Sequence, residues 1–356
     1  MESSRTVDQS LVVPPPPVAA TPGARAWQRF KRSRRGYWSL WIFLALFGLS
    51  LFAEVLSNDK PLLVRYDGEY YSPLFRTYAE TTFGGDFATP PDYNDPYVRG
   101  LLTAGDNRAW FPPNPYRYDS INYFSARPHP APPSSQNVLG TDDRGRDVLA
   151  RLIYGFRISV LFGLALTVIG TAIGVVFGAL QGYFGGRFDL YFQRFTEIWN
   201  SMPELYLLII FASIFEPSIL LLLILLSLFG WIGLADYVRA EFLRGRNMEY
   251  VKAAHALGVS DGAIMWRHLL PNSMTPVITF LPFRISGAIL ALTSLDFLGL
   301  GVPPTTPSLG ELLAQGRENI EAWWLSITTF GVLVGALMLL IFIGEALREA
   351  LDPRRG

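Results

Sequence analysis

The sequence contains no cysteine. Disulfides, thiolate metal ligands and thiol nucleophiles are therefore excluded from any account of what the chain does. Charge is sparse as well: Asp, Glu, Lys and Arg make up 17% of the 356 residues and sum to a net charge of +0, against about 25% charged residues in soluble domains. Only three histidines occur, His129, His255 and His268. All lie outside the apolar runs, which argues against paired-histidine haem ligation inside a bilayer. No stretch has the glycine-rich, lysine-ending pattern of a phosphate-binding loop. No internal repeat is visible, which argues against the inverted-repeat secondary transporters.

What is abundant is apolar surface. Hydrophobic residues are 50% of the chain and are gathered into runs, the composition of a membrane protein. Six runs are candidates for spans of roughly 20 residues: 37–53, 158–180, 195–215, 217–235, 275–295 and 325–343. The second carries Gly170, Gly174 and Gly178 at four-residue spacing, a face for close helix contact. The third is interrupted by Glu197, Pro203 and Glu204, and the fifth by Pro282, where a kink is expected, and by Arg284. The basic region before the first run is too long for a secretory n-region and no small-x-small cleavage site follows, so that run is an uncleaved span.

Lys and Arg in the short loops set the orientation. One side receives the cluster Arg25, Arg29, Lys31, Arg32, Arg34 and Arg35, then Arg187 and Arg194, the loop with Arg239, Arg244, Arg246, Lys252 and Arg267, and the tail with Arg348, Arg354 and Arg355; the short loops of the other side receive only Arg317. Both termini are accordingly expected in the cytoplasm. The organisation expected is a disordered basic cytoplasmic tail over 1–36 with a proline run from Pro14, a first span over 37–53, an external insertion over 54–157, a transmembrane core over 158–345 and a cytoplasmic tail over 346–356. The insertion is too aromatic for a linker, with Tyr66, Tyr70, Tyr71, Tyr78, Tyr93, Tyr97, Trp110, Tyr116, Tyr118 and Tyr123. It is expected to pack, with short strands around "KPLLVRYDGEYYSP". It serves either as a structural cap on the spans, or as a docking surface for a soluble partner or a lid on a pore.

Between the fourth and fifth runs lies "EYVKAAHALGVS". Asn247 can cap a helix there, Glu249 suits its first turn, Val251, Ala254 and Leu257 fall near one face, and Gly258 can close it in the left-handed conformation. Ser260 can cap a second helix, with Ile264 and Leu269 buried and Pro271 ending the segment. Ala253 and Ala254 give a smooth face that can enter a groove on another protein, so the helix over 248–258 is either a coupling element or a plain connection between spans. A DNA-binding helix-turn-helix is set aside: "SDGAIMWRHLL" is mostly apolar and is tethered to the bilayer.

"EYVKAAHALGVSDGAIMWRHLLPN" resembles the EAA loop of bacterial ABC-importer permease subunits, with Ala253, Ala254, Gly258, Leu270 and Pro271 matching. Lys252 stands where that family usually has glutamate. "LGTDDRGRDVLARLIYGFRISV", "SLDFLGLGVPPTTPSLGELL" and "LREALDP" look like further motifs of dipeptide and oligopeptide permeases, in the same order. The first span and the long insertion resemble the Yej-type permeases, linked to import of oligopeptides and of the peptide-nucleotide antibiotic microcin C. The resemblance implies an all-α integral membrane protein of about six spans with the type I ABC-importer (MetI-like) fold in the bacterial inner membrane, its long insertion periplasmic. It implies a coupling helix that docks on a separate ATPase through Glu249, Tyr250, Ala253, Ala254, Leu257, Gly258 and Val259. The implied partners are a second permease subunit in a heterodimer, ABC ATPase subunits, a periplasmic peptide-binding protein, peptide substrate and membrane lipid, and no nucleic acid. No cofactor and no metal would be bound by this chain, since ATP and magnesium belong to the ATPase. The resemblance implies that the chain has no catalytic residue of its own and works by alternating access. The rival readings are an ion-coupled transporter acting alone and a membrane scaffold that moves no substrate.

Three further sites stand out. Arg284 either lines the translocation path and attracts a peptide carboxylate or phosphate, or pairs with an acidic residue of a neighbouring helix. The cluster Asp142, Asp143, Arg144, Arg146 and Asp147 looks like a metal-binding run, but its arginines compete for the carboxylates. Asp142 and Asp143 are placed instead at a helix start, with Asp147 and Arg151 as an i,i+4 pair. Glu197 and Glu204 are assigned to a subunit interface.

Overall fold

The computed structural model describes residues 22–125 and 127–352. The chain opens with α1 (Pro22–Arg32), α2 (Arg34–Leu51) and the single turn α3 (Ala53–Leu56). The insertion follows, with β1 (Leu63–Tyr66), β2 (Glu69–Tyr71), α4 (Pro96–Thr103) and β3 (Arg108–Trp110). The bundle is built from α5 (Val148–Phe184), α6 (Gly186–Asn200), α7 (Glu204–Ile214), α8 (Ile219–Ser227), α9 (Ile232–Gly245), α10 (Glu249–Ala256), α11 (Asp261–Ala263), α12 (Leu270–Phe297), α13 (Leu309–Glu318) and α14 (Trp323–Leu351). Among the described residues four helical stretches are long and apolar enough to cross a membrane: Val148–Phe184, Ile219–Gly245, Asp261–Phe297 and Trp323–Leu351.

The bundle is organised around α5. At 37 residues it is about 55 Å long at 1.5 Å per residue. Asp147 caps it by accepting from the Ala150 amide, and Gly185 ends it. The glycine stripe along α5 is where α9 lies. A Cβ at Gly178 would stand 2.5 Å from the Ala235 carbonyl oxygen, and one at Gly182 2.5 Å from that of Arg239. Hydrogen at these positions lets the two backbones touch, and close van der Waals contact is what holds helices together where lipid removes the hydrophobic drive. The contact face expected at Gly170, Gly174 and Gly178 is therefore present and runs one turn further, to Gly182.

Several expectations need correction. The tail expected to be disordered over 1–36 is helical over Pro22–Arg32 and packs there on α14: Phe30 is buried beside Ala346 and Ala350, and Arg29 donates to the Asp352 carbonyl. An apolar stripe between its basic residues gives α1 a surface to bury. The tail before residue 22, and Arg354 and Arg355 at the other end, lie outside the described residues. α2 covers most of the first run yet is not among the four long apolar helices. The third run is no single helix: α6 ends at Asn200 and α7 starts at Glu204, because Pro203 lacks a donor and biases Met202 out of the helical region. The fourth run breaks at a turn over 228–231 and continues as helix to Gly245. The core begins at Val148 rather than at 158, so the insertion is correspondingly shorter. Pro271 does not end its segment. A π-type turn, Ile264–Leu269, precedes it and α12 runs on through Pro271, Pro276 and Pro282. Proline fits in the first turn of a helix, where its missing N–H has no partner to lose.

The insertion has its own core. β1 is central in a three-stranded antiparallel sheet of order β2-β1-β3, with Arg65 opposite Tyr70 and Arg108. The β1–β2 hairpin closes on Asp67 and Gly68, both at positive φ (48° and 82°), the turn geometry that matches strand twist. Phe83 is fully buried, with the rings of Tyr66, Tyr71, Tyr78 and Tyr93 edge-on at 5.4–6.3 Å. Burial pushes the Tyr93 hydroxyl up to about 12. The strands expected near "KPLLVRYDGEYYSP" are thus present, and the fold is helical in the bundle with a small sheet in the insertion.

Candidate functional site

The insertion meets α5 at its first turn, and α10 lies beside its last. These two ends are joined by one helix.

At the α10 end, Val251 and Ala254 are buried on the base formed by Phe242, Ile264 and Leu269. Tyr250 and Ala253 face outward, Glu249 is exposed, and Leu257 is 83% exposed. Two expectations change here. Asn247 does not cap the helix; its amide donates to the Leu243 carbonyl, and Met248 occupies the cap position without a side-chain bond. Leu257 does not share the inner face with Val251 and Ala254, because the helix ends at Ala256 before the turn that would carry it inward. Ala254 faces the chain itself, so the free smooth surface is that of Ala253. Gly258 adopts φ +77° as expected, and the amides of Gly258 and Val259 return to the carbonyls of His255 and Ala254. Val259 is half-buried against the same cluster as Ala254.

One residue of α5 braces this unit. The Tyr183 hydroxyl donates to Asp261 Oδ1 at 2.6 Å and lies 3.2 Å from His255 Nε2, while the Tyr183 carbonyl accepts from Arg246 Nη1 at 3.0 Å.

In mid-bundle, Arg284 donates from Nη2 to the Gly230 carbonyl at 2.8 Å, in the turn between α8 and α9. Gly170 makes the room: a Cβ there would stand 2.7 Å from that nitrogen. Among the described residues no carboxylate lies within 4 Å of its guanidinium, so the expected alternative of an ion pair on a neighbouring helix is not formed. Arg284 Nε is buried with no protein partner.

At the insertion end the acidic–basic run folds into a charge network. Asp142 accepts from the Arg144 and Arg146 amides and from Arg146 Nε at 2.6 Å. Arg146 also reaches Glu311 at 3.2 Å and the Pro304 carbonyl at 2.9 Å. Arg151, with no exposed surface, pairs with Glu311, lies 3.7 Å from Asp142 and donates to the carbonyls of Tyr118 and Thr306. The expected Asp147–Arg151 pair does not form, since Asp147 is turned back as the α5 cap and accepts from the Asn114 and Asn137 amides at 2.8 Å. Burial pushes its carboxyl up, and the bonds from Asn137, Ala150 and Asn114 pull it back. Burial and the neighbouring Asp142 likewise push up Asp143. Among the described residues no group of three or more His, Asp or Glu side chains is placed to hold a metal ion; Arg146 takes Asp142, and amides take Asp147. Glu311 was not singled out in sequence. Its one signal is Ser308-Leu-Gly-Glu311, a capping-box pattern, in which Ser308 does cap α13 while the glutamate goes to the arginines. Glu197 pairs with exposed Arg194 on α6, and Glu204 is exposed at the start of α7.

The arrangement is a helical bundle with a rigid crown at one end and a small exposed helix at the other. A model of the family described as binding-protein-dependent transport system inner membrane component matches residues 174–356, and one described as the N-terminal TM domain of oligopeptide transport permease C matches residues 21–75. The chain is 55% identical over 332 residues to the inner membrane ABC transporter permease protein YejE of Escherichia coli (strain K12), covering 93% of this chain and 96% of that one. It is 50% identical over 373 residues to the peptidoglycan transport system permease protein YejE of Agrobacterium fabrum, covering 98% and 97%. Similarity to the oligopeptide transport system permease protein OppC of Haemophilus influenzae is 37% over 246 residues, covering 69% and 78%. The chain belongs to the family of binding-protein-dependent transport system inner membrane components, as a Yej-type peptide permease.

Proposed function

We propose that this permease is one of two non-identical membrane-spanning subunits of an ATP-driven oligopeptide importer, and that α10 is the helix by which a separate ATP-binding subunit drives it. The observation that carries this is the placement of α10. It is held at its base by Val251 and Ala254 and presents Tyr250, Ala253 and Leu257 outward, at the far end of α5 from the insertion. In this reading the chain crosses the inner membrane six times, α2 and the α6–α7 pair supplying the two spans beyond the four long helices. Both termini and α10 lie in the cytoplasm and the insertion in the periplasm, where a peptide-binding protein delivers substrate. ATP and magnesium act on the partner, and the chain itself is not an enzyme. Membership of the family sets aside the stand-alone ion-coupled transporter and the inert scaffold.

The substrate class proposed is oligopeptides, including microcin C-type peptide-nucleotides. The Agrobacterium relative is named a peptidoglycan transport system permease protein, which favours peptidoglycan-derived substrates as a second class. Competition for uptake between an oligopeptide and a muropeptide separates the two. The α10 assignment is tested with the cysteine-free background. A single cysteine at Ala253, crosslinked in native membranes, yields an ATP-binding subunit as the main adduct, while one at buried Ala254 yields far less. An inserted, active chain that gives no adduct at Ala253 overturns the assignment.

A further inference from the structure

We propose that Tyr183 is the joint through which movement of α10 reaches the transmembrane bundle. This rests on the reading of α10 as the ATPase-docking helix and goes beyond it by naming the positioning residue that makes the docking productive.

The unit after α9 has two limbs, α10 and α11, separated by a turn whose closing residue, Gly258, has φ +77°. Such a turn is a hinge unless something holds its limbs. Tyr183, in the last turn of α5, touches the chain at three places. Its carbonyl accepts from Arg246, just before α10; its hydroxyl lies against His255, in the last turn of α10; and the same hydroxyl donates to Asp261, the first residue of α11. The phenol ring is buried and stacks on the His255 ring with centroids 6.3 Å apart. His255 Nδ1 is 3.8 Å from Asp261 Oδ1, so three side chains converge across the glycine turn. Gly185 is shaped for the arrangement: a Cβ there would stand 2.2 Å from Arg246 Nη1.

The mechanical consequence follows from α5. It is one unbroken helix whose other end carries Arg151, locked to Glu311 and to the Thr306 carbonyl of the loop before α13. A push on α10 that is transmitted at Tyr183 is delivered along the whole of α5 to that loop. Without the hydroxyl, Val251 and Ala254 still seat α10 on the bundle, but α11 loses its side-chain bond to α5, and the Gly258 turn, held by its backbone bonds to His255 and Ala254 and by Val259, absorbs more of the push.

The test uses the complete complex of both permeases, ATPase and binding protein in liposomes, with Tyr183→Phe and, as a second variant that removes the acceptor at an exposed side chain, Asp261→Ala. A hydrogen bond to a charged group is worth enough to change an equilibrium by about tenfold or more. Peptide transported per ATP hydrolysed is therefore expected to fall about tenfold in each variant, with the KM for peptide, basal ATP hydrolysis and the Ala253-cysteine crosslink unchanged. The double variant is expected to be no worse than either single one. An unchanged coupling ratio in a crosslink-competent complex overturns the role of Tyr183 and leaves the docking assignment standing. A parallel fall of transport and hydrolysis at constant ratio also overturns it, since the residue would then be structural only. Loss of the crosslink in the parent protein overturns the docking assignment and this inference with it.

Discussion

Arg151 and Glu311 lie 160 positions apart and form an ion pair that joins the first turn of α5 to the first turn of α13. The guanidinium has no exposed surface. Burying it is tolerable only because Asp142 and the carbonyls of Tyr118 and Thr306 surround it. Removing Arg151 leaves Asp142 and Glu311 sharing Arg146 alone, and breaking a buried pair costs up to roughly 3–5 kcal/mol. Arg151→Met is therefore expected to lower the thermal stability of the purified permease sharply. Arg151→Met combined with Glu311→Met is expected to recover part of that loss, because one of the two carboxylates left to a single guanidinium goes too. A double variant no more stable than the single one would show that the pair does not carry the effect.

The glycine stripe makes a graded prediction. At Gly178 a methyl group meets backbone, the Ala235 carbonyl oxygen, whereas at Gly170 it meets the mobile end of the Arg284 side chain. Backbone cannot move aside without parting the helices, and overpacking costs roughly 1–3 kcal/mol. Gly178→Ala is expected to reduce the yield of folded, monodisperse protein well below that of Gly170→Ala. Equal yields would mean that α5 and α9 do not touch as described.

The fold was legible where periodicity and composition act locally. The apolar runs that became α5, α12 and α14, the glycine contact face, the short strands of "KPLLVRYDGEYYSP" and the left-handed Gly258 are all consequences of nearest neighbours and steric rules. The errors share a different cause. Asn247 is a good capping residue, but the Leu243 carbonyl was within its reach and took its amide. Asp147 and Arg151 have ideal helical spacing, yet Asp147 was drawn to its own helix's N-terminus, leaving Arg151 to a glutamate far along the chain. No spacing rule reveals Tyr183, because its partners belong to elements that only the tertiary fold brings together. Pro271 misled for a related reason, since a π-type turn prepared the helix to accept it.

Arg284 supplies a prediction about substrate. Its Nη2 is spent on the Gly230 carbonyl, but among the described residues no acidic group pairs with it and Nε is without a protein partner. We propose that Arg284 lines the translocation path, where its positive charge favours peptides with a free carboxylate. Arg284→Gln is expected to reduce uptake of free peptides severalfold while leaving C-terminally amidated peptides less affected. Uptake unchanged for every peptide would remove Arg284 from the path and leave it as a tie between α12 and the α8–α9 turn.

The insertion gives the last prediction, and it separates the cap from the docking surface. Phe83 is the centre of an aromatic cluster in which four tyrosine rings meet it edge-on. Truncating such a residue costs roughly 3–5 kcal/mol, more than a small sheet with one layer of cover can absorb. The bundle does not share this core, which is built from residues between Leu63 and Phe111; the insertion is tied to the bundle outside it, by contacts that include Ser57 with Tyr154, Asn137 with Asp147, Arg146 with Glu311 and Thr141 with Trp324. Phe83→Ala is therefore expected to make residues 63–111 protease-sensitive while the helices stay folded. The consequence for transport then depends on what the insertion does. A docking surface predicts that stimulation of ATP hydrolysis by the binding protein is lost while basal hydrolysis persists. A cap predicts that basal hydrolysis and stability fall together, since the Arg151 network would lose its cover. Exposed Phe75, Tyr123 and Phe87 favour the first outcome, because large aromatic side chains left in water on a folded crown are the residues that anchor protein interfaces.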